Sequence, residues 1–145
     1  MDRTQLLSLL ERARENNDIY IIARAALMLK GRGHDAPLTP AEHSIILQCL
    51  ENARVRKGIL GLEAGYELAR WIIICQHLFP DKKIVPTDAD KQMIQGACDS
   101  YCADRILKQI ASLVHMGKVL NIPISLNKLP PKKRKFVEKM AATLA

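Results

Sequence analysis

Aromatic side chains are almost missing from this chain: Trp71, Tyr20, Tyr66, Tyr101, Phe79 and Phe136 are all of them in 145 residues. The core must therefore be built from aliphatic side chains, which suits helices packed on helices. The same scarcity removes the stacking platforms that grip single-stranded nucleic acid, since only Phe136 falls within the clustered basic residues near the C-terminus. Long apolar runs are missing too. None exceeds five residues, as at positions 71–75, whereas a membrane span requires about 18 or more. Residues 1–14 place Asp2 at the front and offer no small-residue cleavage site, so no secretory leader is expected. Glycine occurs seven times and never as a phosphate-cradling loop; Gly31-Arg32-Gly33 reads as a helix stop.

What is present is the composition of a globular protein. Hydrophobic residues make up 48% and charged residues 26%, which argues against a disordered chain. The length fits one domain, residues 1–145, burying about 70% of its unfolded surface. Cys49, Cys75, Cys98 and Cys102 lie inside apolar helical patterns and not in loops. That placement predicts reduced, packed thiols in a cytoplasmic setting, not a disulfide framework.

Helical periodicity runs through the sequence. Leu6, Leu7, Leu10 and Ala13 mark a first helix over residues 3–15, ended by Asn16-Asn17. Asp18 caps a second, apolar on nearly every face and expected to be surrounded by others. Thr39-Pro40-Ala41-Glu42 combines an N-cap, a proline at the first position and a carboxylate three residues on, and Gly58 stops the helix that follows. A fourth runs over residues 62–79, with Glu63, Glu67 and Arg70 as its polar edge. Residues 81–86 read as a connector; Ile84-Val85 has strand character but no partner strand. Thr87 or Asp88 caps a long helical region to about residue 120, weakened by Gly96, Asp99 and Ser100 into one bent helix or two. A loop over 121–130 precedes a basic helix from Pro131. These elements predict an all-α fold of five to seven helices, orthogonal or bundle-like, without significant sheet. The second and fourth helices are expected at its centre, with Ile22, Leu27, Trp71, Ile72 and Cys75 buried.

Charge is distributed unevenly. Residues 105–145 hold nine Lys/Arg and one acid, Glu138, a net +8, while residues 1–104 carry −1. A near-neutral body with a basic end points to an acidic partner: an acidic protein surface first, nucleic acid or an anionic membrane as alternatives. The candidate contacts are Lys128, Lys132, Lys133, Arg134, Lys135 and Lys139, with Arg54, Arg56 and Lys57 from the end of the third helix. Lys132, Lys133, Arg134 and Lys135 after Pro131 resemble a monopartite nuclear localisation signal, which is read as an extended peptide and would place the chain in a nucleus. Against that stands a docked helix, on which Phe136, Met140 and Leu144 recur every four residues and would be buried.

Chemistry leaves no signature. Cys98 and Cys102 are one helical turn apart but have no second ligand pair, and Cys75 and His77 point about 200° apart. His34, His43, His77 and His115 are scattered, and Glu63, Glu67 and Arg70 fit a surface ion-pair edge. A triad assembled in three dimensions would leave no trace in the sequence. The reading is therefore a non-enzymatic interaction module (an adaptor, a chaperone-like factor or an inhibitory regulator) with no catalytic, cofactor or metal site assigned. A further alternative is a bacterial effector whose basic run is read by a eukaryotic host. No oligomeric state follows from the sequence.

Overall fold

The computed structural model describes residues 1–35, 37–55 and 62–144, with the side chains of all of these except residues 62 and 63. Among the described residues the chain is all-helical, without a strand. Seven α-helices follow in order: α1 Arg3–Glu15, α2 Ile19–Gly31, α3 Pro40–Val55, α4 Leu62–Leu78, α5 Asp88–Ala103, α6 Leu107–Leu120 and α7 Pro131–Thr143. A single 3₁₀ turn, Pro80–Lys82, follows α4. The expected stop at Gly58, together with Arg56 and Lys57, lies outside the described residues, as does the side chain of Glu63.

The helix starts follow local chemistry. Asp2 and Gln5 form a reciprocal capping box at α1, with both hydrogen bonds at 2.8 Å. Asp18 caps α2 by accepting from the Ile21 amide. At α3 the Thr39 hydroxyl accepts from the Glu42 amide at 3.1 Å, and Glu42 returns the bond to the Thr39 amide at 2.9 Å. Thr87 and Asp90 repeat the device at α5.

The chain divides into two units: residues 1–51 with 74–84, and residues 52–73 with 85–145. In the first, α1 packs on α2, and Leu6, Leu10 and Ala13 meet Ile22, Ala25 and Leu29. Leu29, not Leu27, is the fully buried leucine of α2; Leu27 is only partly covered, contrary to the expectation from periodicity. Arg14 ties α1 to the start of α3 through paired 2.8 Å bonds to Glu42. Lys30 donates to the carbonyls of His77 and Leu78 at the C-terminal end of α4.

In the second unit α5, α6 and α7 pack in sequence order. The helical region after Thr87 is two helices, and its break falls at residues 104–106, not near Gly96. Arg105 takes a left-handed conformation (φ 57°), and the Ile106 amide reaches back to the Tyr101 carbonyl at 3.0 Å. α6 ends the same way at Asn121, with the Ile122 amide on the Gly117 carbonyl. The loop that follows is held by Gln95, whose side-chain amide both donates to the Ser125 carbonyl and accepts from the Ser125 amide. Gly117 permits this loop to lie against α6, because a Cβ there would fall 2.6 Å from Ile124 Cγ1.

α7 is a docked helix, but its packed face differs from the expected one. Val137 and Ala141 are buried, whereas Phe136 is 53% and Leu144 46% exposed, and Met140 is only partly covered. The sequence presents two apolar stripes about 100° apart. The stripe with the smaller side chains faces the protein.

Candidate functional site

The structure places Lys132, Lys133, Lys135 and Lys139 on α7, all exposed, and Lys128 exposed in the preceding loop. No described acid lies within ion-pair distance of these five lysines. Lys132 and Lys133 occupy the second and third positions of the helix, where no acid is present and no side chain caps the N-terminus. The partial positive charge of a helix N-terminus disfavours cations there. The run thus works against the helix that carries it, a conflict between local preference and fold that is characteristic of functional surfaces.

Arg134 behaves differently from its neighbours. It is half-buried, and its Nε donates to the Leu129 carbonyl at 2.7 Å, fastening the start of α7 to the end of the loop. It also lines a cleft of about 550 Å³ walled by Val114 and Lys118 of α6, Ile122 and Ile124 of the loop, and Glu138 of α7. The only acid of α7, Glu138, therefore lines this cleft, one turn from Lys135.

Arg54 is committed elsewhere. Its Nη2 lies 3.0 Å from Asp90 Oδ2, and its Nε lies 3.2 Å from each carboxylate oxygen. Asp90 is buried (3% exposed) and also serves the capping box with Thr87. Arg54 thus compensates a buried carboxylate within its own unit. Arg56 and Lys57 lie outside the described residues.

Features that carry chemistry elsewhere are packed here. Cys75, Cys98 and Cys102 are buried and reduced, and Cys49 is partly covered. Burial first, then the neighbouring Cys102, pushes the Cys98 thiol up to about 12, and burial likewise raises that of Cys102. Thiols held protonated in this way are poor nucleophiles. Among the described residues no three His, Cys, Asp or Glu side chains gather as a metal site. His43 packs against Phe79 in a tilted contact, with ring centroids 4.7 Å apart.

Two features of the site escaped the sequence. The exposure of Phe136 amid lysines was hidden because its stripe satisfies helical periodicity as well as the buried one does. The partnership of Arg54 and Asp90 joins residues 36 apart in the chain, and no local pattern signals it. Compared with protein families, with curated proteins and with solved structures, the chain matches none of them.

Proposed function

We propose that this chain is a non-enzymatic interaction module, of the adaptor, chaperone-like or inhibitory kind, whose basic C-terminal face docks on an acidic protein surface. The observation that carries the reading is the set of four exposed lysines, Lys132, Lys133, Lys135 and Lys139, that form no ion pair on a packed helix whose single acid is Glu138. An acidic partner would relieve both their mutual repulsion and their conflict with the helix N-terminus. Lys128 extends the face along the loop. The import-signal reading requires the run to be extended, which would break the bond from Arg134 to Leu129 and uncover Val137.

The test is retention on immobilised poly-glutamate, heparin and phosphatidylserine vesicles as salt is raised. Comparison is made between the intact chain and K132Q/K133Q/K135Q/K139Q. Salt-sensitive retention on poly-glutamate that the substitutions abolish is the expected result. Retention on heparin or vesicles without any on poly-glutamate would transfer the function to nucleic acid or an anionic bilayer.

A further inference from the structure

We infer that the partner presents a single acidic amphipathic helix, seated lengthwise on Phe136, Met140 and Leu144 with its carboxylates over Lys132, Lys133 and Lys139. The inference rests on the basic-face reading above and specifies the surface that the face receives.

The geometry of the exposed stripe supports it. Phe136, Met140 and Leu144 follow one another every four residues and span about 80° of the helix circumference. Lys132 and Lys133 stand four and three residues before Phe136, and Lys139 three after it, so all three are its neighbours on the helix surface. Glu138 is turned to the cleft, so the cations bordering the stripe face no acid of their own helix. A row of side chains spaced by four is the ridge that seats in the groove of a second helix. Charges beside such a seam are where helix pairs select their partners, and here they demand acids.

Other occupants fit less well. A helix lying in a bilayer interface needs a broad apolar sector. α7 commits Val137 and Ala141 to its own unit, leaving only a narrow line outside. A phosphate backbone would satisfy the lysines and leave Phe136 and Leu144 still in water. A second copy of the same face would bring lysine against lysine.

The probe is a labelled synthetic peptide of about 21 residues, three heptads with Leu at a and d and Glu at e and g. A scrambled peptide of the same composition is the control. The intact chain should bind the patterned peptide about tenfold more tightly than the scramble, and F136S/L144S should erase that preference while leaving the circular dichroism spectrum unchanged. K132A/K133A/K139A should weaken both peptides. Equal affinity for the two peptides, with the lysine dependence kept, overturns the helix seat and leaves the basic-face reading standing. Loss of neither peptide on lysine removal overturns both. Anionic vesicles or duplex RNA whose binding depends on Phe136 and Leu144, with the patterned peptide unbound, would put a bilayer or a nucleic acid in the helix's place.

Discussion

The guanidinium of Arg54 closes on the carboxylate of Asp90 at 3.0 to 3.2 Å, joining the last turn of α3 to the first turn of α5. Asp90 is almost wholly removed from water, while Arg54 keeps part of its surface exposed. Removing Arg54 leaves the buried Asp90 carboxylate without this guanidinium, and removing Asp90 takes the paired contact from Arg54. Arg54→Ala should cost about 3 kcal/mol in urea titration, and Asp90→Ala a similar amount. The double variant should cost less than the sum of the two, a coupling that a thermodynamic cycle measures directly.

Three glycines should respond differently to alanine. At Gly117 a Cβ would meet Ile124 Cγ1 at 2.6 Å and the Ile122 carbonyl oxygen at 2.8 Å; at Gly65 it would meet the Met93 carbonyl and, at 2.7 Å, the Ala97 Cβ. Both substitutions force backbone to move and should destabilise by about 1–3 kcal/mol. Gly96 has nothing within 4 Å and lies exposed inside α5. Gly96→Ala should therefore stabilise, by about 0.5–1 kcal/mol, through helix propensity alone. Thermal melts of the three single variants decide the matter.

The docked face of α7 can be checked by two truncations one residue apart. Val137→Ala removes both γ-methyl groups of a fully buried side chain and should cost about 1–2 kcal/mol. Phe136→Ala, although it removes far more atoms, should cost only about 1 kcal/mol or less, because half the ring is already in water and alanine is the better helix former. The reverse ranking in urea denaturation would mean that the Phe136 stripe is the packed one.

Acid should loosen the junction of α1 and α3. Hydrogen bonds from Arg14, opposed by burial and aided by Thr39, hold the Glu42 carboxyl below its ordinary value. The folded state therefore favours the ionised form, and the unfolded chain takes up the proton more readily. The stabilisation is complete above the unfolded carboxyl value of about 4.3 and is lost as pH falls through the lowered folded value. Glu42→Gln should cost about 1–3 kcal/mol at neutral pH. The gap between the variant and the parent chain should close on titration toward pH 3.

The helical class was legible in the chain because its evidence is local. An aliphatic composition, the caps Asp18, Thr39-Glu42 and Thr87, and the proline at the start of α7 all act within one or two turns, and each element begins where they place it. The reciprocal box of Asp2 and Gln5 is equally local, but Asp stands at the N-cap where the usual signature has Ser or Thr. The break between α5 and α6 went unread for another reason: its left-handed residue is Arg105, and without glycine nothing in the sequence marks the turn.

The sequence by itself determined that α7 would be a basic helix with two apolar stripes. Tertiary structure decided which stripe is buried. Periodicity weighs side chains by polarity and is blind to the room available, so it favoured the bulkier Phe136, Met140 and Leu144. Helix packing is limited by how closely the backbones can approach, and small residues let α7 lie close against α6. Val137 and Ala141 meet that condition, and the larger stripe is left facing solvent among the lysines.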